Sequence, residues 1–352
     1  MAASGTEHRE LQDVAEALVA DDKGILAADE SSGTIEKRFD SIKLESTEEN
    51  RRAYRDMLFT TPGLKEFVSG VILFDETLRQ SAADGTPFAK YLADKGIIPG
   101  IKVDTGAKDL AGAPGEKVTE GLDGLRERLE EYRGLGARFA KWRAVITIGD
   151  GIPSGYCIST NAHALARYAA LCQEQGIVPI VEPEVLMDAD NDIETCYRAT
   201  SRTLHKVFKE LWKQRVDLEG VLLKPNMVLS GKGSPTQASA DEVAEWTLKC
   251  FREHVPAAVP GIVFLSGGQS DEQASENLNA INSLSGPNGG PQPWVLSFSY
   301  GRALQAPALA AWGGSEDNVE AAQSFLALRA RCNSAAVGGR YSAEMEELAR
   351  SS

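Results

Sequence analysis

The chain has 352 residues, of which 42% are hydrophobic, and a formal net charge of −14. That hydrophobic fraction excludes wholesale disorder, and the acidic balance excludes a nucleic-acid or anionic-membrane surface unless a local basic site provides one. The five cysteines, Cys157, Cys172, Cys196, Cys250 and Cys332, are odd in number and form no C-x-x-C pair, so disulfide frameworks and thiolate zinc sites are not expected.

The first twenty residues carry Glu7, Arg9, Glu10, Asp13 and Glu16, which leaves no apolar core for a signal peptide. Residues 6–20 read as a helix ahead of the main fold. Eight short apolar runs follow, most of them closed by a polar residue. They are 24–28 before Asp29, 70–74 before Asp75, 97–101 before Lys102, and a longer run, 139–148, that holds Lys141 and Arg143. Then come 177–181 before Glu182, 220–223 before Lys224, 261–265 before Ser266, and 294–298 before Ser299. Lys102, Lys141, Glu182, Lys224 and Ser266 follow one another at intervals of 39, 41, 42 and 42 residues, room for one strand, one helix and two loops. Helical patterns fill the gaps at 121–135, 161–175, 192–215, 240–254 and 271–283. Residues 285–293, rich in glycine and proline, read as a surface loop, and 316–332 as a closing helix. The uncharged run 277–301 is broken by six glycines and prolines between Gly286 and Pro293 and cannot be a membrane helix.

Alternating strands and helices imply parallel strands with helical crossovers, and runs this continuously apolar suit strands buried on both faces. The expected fold is a single α/β domain over residues 1–352, a (β/α)8 barrel of the TIM type with an extra N-terminal helix and a C-terminal helix. The runner-up is an open doubly wound sheet. It lacks its usual G-x-G-x-x-G, since the residues after the first run are Asp29-Glu30-Ser31-Ser32-Gly33.

In such a barrel the active site lies at the C-terminal ends of the strands. The candidates are Asp29, Lys102, Lys141, Arg143, Glu182, Glu184, Lys224, Ser266 and Arg302. Lys224 is the sharpest, because it follows Gly-Val-Leu-Leu and precedes Pro225. Desolvation and neighbouring cations would both lower its pKa, and a neutral amine there can attack a ketone to give a Schiff base. Ser266-Gly267-Gly268 and Gly301-Arg302 fall after the seventh and eighth strands, where barrels of this kind often bind phosphate. Asp188, Asp190 and Asp192 imitate the start of a calcium loop, but Ile193 and Ala199 occupy the positions that need glycine and glutamate. His8, His163, His205 and His254 show no paired spacing, so no catalytic metal is expected.

With these motifs the chain resembles class I fructose-1,6-bisphosphate aldolases from about Leu11 to about Tyr341. The most specific piece is the stretch 216–226, VDLEGVLLKPN, which resembles the family's Schiff-base lysine signature. Supporting pieces are GILAADES at 24–31, GIKVD at 100–104, FAKWR at 139–143, VEPE at 181–184, FLSGGQ at 264–269 and FSYGRAL at 298–304. The resemblance implies that Lys224 forms the imine, that Glu182 shuttles protons with support from Glu184, and that Lys141 holds charge beside Lys224. It implies that Asp29 takes the C4 hydroxyl proton. Ser266, Gly267, Gly301 and Arg302 would bind the C1 phosphate, while Ser31, Thr34, Arg38, Lys102 and Arg143 would lie toward the second phosphate. It further implies sugar-phosphate substrates, no cofactor and a homotetramer, while the acidic charge argues against nucleic-acid and membrane partners. The cytoplasm is the expected compartment, with a plastid stroma after transit-peptide removal as the alternative. Many members end in a tail with a terminal tyrosine that helps protonate the enamine. This sequence ends Ala349-Arg350-Ser351-Ser352 and its last tyrosine is Tyr341, so the preference between bisphosphate and monophosphate stays open. The loop 285–293 also looks longer than in common members. Other Schiff-base aldolases of the same fold, such as transaldolase or deoxyribose-phosphate aldolase, and a non-catalytic relic of the barrel are the competing readings. The complete set of lysines and carboxylates weighs against the relic.

Overall fold

The eight apolar runs become eight strands that close into one barrel, with every neighbouring pair parallel. This is a computed structural model that describes residues 5–285 and 291–350. In chain order the elements are α1 Gly5–Leu18, β1 Gly24–Ala28, α2 Ser32–Asp40, α3 Glu48–Phe59, β2 Val68–Leu73, α4 Asp75–Leu78, α5 Phe88–Asp94 and β3 Ile98–Lys102. Next come β4 Gly106–Asp109, β5 Lys117–Glu120, α6 Leu125–Gly134, β6 Phe139–Ile146, α7 Gly155–Glu174, β7 Val178–Val185 and α8 Ile193–Lys213. The chain continues through β8 Leu222–Leu223, α9 Ala240–His254, β9 Gly261–Phe264, α10 Asp271–Leu284, β10 Val295–Tyr300, α11 Arg302–Trp312, α12 Val319–Val337 and α13 Glu344–Arg350. Around the barrel the strands run β1, β10, β9, β8, β7, β6, β3, β2.

Side chains alternate across a strand, so every second residue faces the barrel interior. Ile25, Ala27, Ile72, Phe139, Val178, Ile180, Leu222 and Val263 form that inner cluster. Leu11, Ala15 and Leu18 of α1, with Val19, join it, so the extra N-terminal helix plugs the end of the barrel where the strands begin. Phe139 takes so much of the lumen that a Cβ on Gly100 would overlap its ring. The same parity continues upward. Ala27 leads to Asp29, Phe139 to Lys141 and Arg143, Ile180 to Glu182 and Glu184, and Leu222 to Lys224. The apolar plug and the polar mouth are successive layers of one inward-facing set.

Several elements differ from the sequence expectation. β7 runs to Val185 instead of ending at residue 181, because paired β6 extends alongside it to Ile146, and Glu182 and Glu184 therefore lie within the strand. β8 keeps only two strand residues after a 3-10 turn at Leu218–Gly220. α6 starts at Leu125 instead of residue 121, since Gly121 and Gly124 both adopt positive φ, incompatible with the helix. The closing helix starts at Val319, after a 3-10 turn, and runs on to Val337. The antiparallel hairpin β4–β5 and helices α2 to α5, α11 and α13 were not expected. Residues 286–290 of the expected loop 285–293 lie outside the described residues. No described helix is long and apolar enough to cross a membrane.

Candidate active site

Lys224 follows β8, and its backbone N–H donates to the Val181 carbonyl at 2.8 Å, which continues the ladder to β7 by one step. Asn226 locks the same turn: its Oδ1 accepts from Val185 N at 2.9 Å and its Nδ2 donates to Thr200 Oγ1 at 3.1 Å. The Lys-Pro-Asn triplet thus fixes both the lysine and the strand that carries the carboxylates.

At the mouth four charges alternate. Lys141 Nζ lies 2.7 Å from Asp29 Oδ2 and 3.3 Å from Glu182 Oε2, and Lys224 Nζ lies 3.2 Å from Glu182 Oε1. All four residues are buried, with Lys224 at 4% exposure and Glu182 at 3%. Two buried cations are tolerated because two carboxylates face them, and loss of either partner would leave an uncompensated charge. Burial alone would raise the Asp29 pKa, but the charges of Lys141, Lys224 and Lys102 overcome it and hold the carboxyl at about 2. Burial pushes Glu182 in the same way, and Lys141 and Lys224 reverse it, so its pKa also falls below the ordinary carboxylate value. Burial would lower the Lys141 pKa, yet Asp29 and Glu182 hold it well above the ordinary lysine value. Lys141 is therefore a fixed cation, and Glu182 is a carboxylate shared by two amines. Such a carboxylate can accept a proton from an attacking amine and return it to a leaving hydroxyl.

Two cavities flank Arg143, two residues on from Lys141 in β6. One, of about 710 Å³, is lined by Ser31, Thr34, Lys102 and Arg143. Asp104 organises it: Lys102 Nζ lies 2.6 Å from its Oδ1, while Arg143 N donates to its Oδ2 at 3.2 Å. The other, of about 450 Å³, is lined by Arg143, Glu184, Lys232, Gly267, Gly268 and Arg302. Arg143 borders both cavities, held by Glu184 Oε2 at 2.5 Å from its Nε. Gly267 has φ of 56°, which turns the chain after β9. Arg302, first residue of α11, reaches across to donate to the carbonyls of Gln269 and Gly267. Buried Ser266 lies two residues past the end of β9, beside this turn.

The structure separates Arg38 from the other residues expected at the second phosphate. Ser31, Thr34, Lys102 and Arg143 line one cavity, whereas Arg38 ion-pairs with Glu30 and lies beside Gly301. The cause is Glu30, a buried carboxylate that also takes Arg55 at 2.8 Å and Gln305 at 3.0 Å. Glu30, Arg55, Asp104 and Lys232, which sequence reasoning did not single out, contact or line the candidate site. Glu30 stands inside the quoted GILAADES piece and Asp104 inside GIKVD, so a signal existed for both. Lys232 sits eight residues past Lys224 in irregular chain and carried none.

The family model for class I fructose-bisphosphate aldolases matches residues 10–352. A probable class 1 fructose-bisphosphate aldolase of Xanthomonas campestris is 61% identical over 335 residues, 94% of this chain and 98% of that protein. Cytosolic fructose-bisphosphate aldolase 4 of Arabidopsis thaliana is 54% identical over 92% of this chain and 81% of its own length. The solved aldolase of Plasmodium falciparum, in complex with TRAP and a small-molecule inhibitor, superposes with a TM-score of 0.94. It is 51% identical, over 96% of this chain and 97% of its own. The chain belongs to the class I fructose-bisphosphate aldolase family.

Proposed function

We propose that this protein reversibly cleaves fructose 1,6-bisphosphate to dihydroxyacetone phosphate and glyceraldehyde 3-phosphate, in glycolysis and gluconeogenesis, through an imine on Lys224. The observation that carries this reading is the buried Lys224 amine 3.2 Å from a carboxylate that a second, permanently charged lysine also touches.

Glu182 takes one proton from the Lys224 ammonium, and the freed amine attacks the C2 ketone; a second amine proton moves to the ketone oxygen, Glu182 returns the first to the departing hydroxyl, and water leaves a protonated imine. Asp29 takes the C4 hydroxyl proton. The C3–C4 bond then breaks, its electron pair flows into the imine, and C4 becomes the aldehyde of glyceraldehyde 3-phosphate. The resulting enamine is protonated at C3, and water releases dihydroxyacetone phosphate and the free lysine. Lys141, wedged between Asp29 and Glu182, keeps both carboxylates ionised, and Glu184 fixes Arg143. The C1 phosphate is assigned to Ser266, Gly267, Gly301 and Arg302. The second phosphate is assigned to Ser31, Thr34, Lys102 and Arg143, with Arg38 acting at one remove through Glu30. Two basic cavities meeting at Arg143 favour a bisphosphate over a monophosphate.

The protein is further proposed to work as one domain, in the cytoplasm, as a homotetramer. Light scattering at the mass of a single 37.8 kDa chain would refute the tetramer. No metal takes part in the steps above, and activity that vanished in EDTA and returned with zinc would overturn them. The decisive test is borohydride reduction with dihydroxyacetone phosphate and mass mapping of the adduct. The label should fall on Lys224 and disappear in Lys224→Met, whereas a label on Lys102 or Lys141 would sink the assignment.

A further inference from the structure

The loop after β8 is sewn onto the loop after β7. Gly231 N donates to Asn191 O at 2.8 Å, Lys232 N to Met187 O at 2.8 Å and Gly233 N to Ala189 O at 2.9 Å. The approach is so close that a Cβ on Gly231 would overlap the Ala189 carbonyl. This backbone seam fixes where the Lys232 side chain starts. From there its stem lies over Gly268, where an added Cβ would overlap both Cε and Nζ. The ammonium therefore hangs over the Gly267–Gly268 turn and lines the same cavity as Arg302 and Arg143.

Two acids share that cavity. Glu184 is occupied by Arg143, and Asp188 Oδ1 lies 2.8 Å from Lys232 Nζ. Lys232 and Asp188 are 48% and 62% exposed, and a pair this open contributes about 0–1 kcal/mol. A phosphate dianion arriving beside Gly267 would compete well for the ammonium. We propose that Lys232 is a binding residue for the phosphate held at Gly267 and Arg302, and that Asp188 parks it in the substrate-free protein. This deepens the aldolase reading above and rests on it. Arg302 supplies a rigid fork from one side of the turn, while Lys232 supplies a mobile point charge from the other.

Steady-state kinetics on fructose 1,6-bisphosphate and fructose 1-phosphate test the assignment, since both carry the C1 phosphate. Lys232→Met should raise KM for both by about five- to tenfold and change kcat by less than about twofold, as expected for a lost charge-assisted contact at a half-open site. Lys232→Arg should keep most of the affinity. Gly268→Ala, which leaves the charge but displaces the stem, should reproduce the KM rise, and it serves if Lys232→Met folds poorly. Asp188→Asn should lower KM at low salt by releasing the ammonium. Lys249→Met, on the outer face of α9, controls for bulk charge. Unchanged KM in Lys232→Met, a change no larger than in Lys249→Met, or an effect on the bisphosphate alone would overturn the proposal. If the wild-type protein fails to cleave the bisphosphate or to trap at Lys224, the aldolase reading itself has failed.

Discussion

Asp29 and Glu182 sit on either side of Lys141, and that placement has a pH signature. Asp29 titrates at about 2 in the fold against an ordinary 3.8, and Glu182 is shifted the same way. A depressed carboxylate stabilises the fold above its ordinary pKa and loses that contribution as pH falls through the folded value. For Asp29 the contribution is on the order of 2 kcal/mol, present above about pH 4 and lost toward pH 2. Lys141 is shifted upward, so its contribution is present below the ordinary lysine value and fades only in strong base. Urea unfolding followed from about pH 6 down to about pH 3 should show stability falling, with a shallower slope in Asp29→Asn. An identical slope would mean that Lys141 does not hold Asp29 ionised. The same variant should lose at least about a hundredfold in kcat, because it removes the base for the C4 hydroxyl. These two carboxylates were legible in the sequence because each directly follows a continuously apolar run, where a charge marks the C-terminal end of a barrel strand. Lys232 was not, because irregular loops have no period from which to read a direction.

At the scale of elements, pairing register decides which charges meet. Lys102 pairs with Lys141 across β3 and β6, and Arg143 pairs with Glu182 across β6 and β7, so like and unlike charges are placed by backbone ladders before any side chain chooses a partner. The eight barrel strands were legible because burial on both faces makes them apolar throughout. The hairpin β4–β5 was not, since its strands GAKD and KVTE are short and mostly polar. Its value lies in one contact: Thr119 Oγ1 donates to the Arg143 carbonyl at 2.7 Å and braces β6 beside the site. Helix α13 was missed for a similar reason, being seven residues rich in glutamate. Yet its Glu346 is buried against Arg329 of α12, and the same guanidinium donates to Asp271 O and Ser275 Oγ at 2.7 Å each. Asp271 opens α10 and its carboxylate lies 3.7 Å from Arg302. Glu346→Ala would strand the Arg329 charge and should cost about 3–5 kcal/mol, whereas Glu346→Gln, which keeps a hydrogen-bond acceptor, should cost less. Thermal unfolding of the two variants measures the difference, and equal melting temperatures for Glu346→Ala and wild type would show that α13 does not anchor the end of the chain.

Across the whole molecule, an acidic body presents a basic mouth. The net charge of −14 should repel a bisphosphate at long range, yet Lys102, Arg143, Lys232 and Arg302 line the two cavities where it would bind. Solvent ions screen these two influences unequally. The Debye length is about 10 Å at 0.1 M salt, so the distributed surface charge is damped early, while contacts within a few ångströms inside a cavity are damped last. Moderate salt should therefore weaken the repulsion first and the clamp afterwards. KM for fructose 1,6-bisphosphate is expected to hold level or fall slightly as NaCl rises to about 0.1 M, and then to climb toward about 0.5 M. Turnover should change little, because the Asp29–Lys141–Glu182–Lys224 row is buried. Lys232 is slightly more exposed than Arg143 and Arg302 and carries a compact charge on a flexible stem, so Lys232→Met should flatten the upper part of the curve more than its lower part. A KM that rose steeply from the lowest salt in wild type would mean that the mouth, not the acidic body, sets the long-range field the substrate meets.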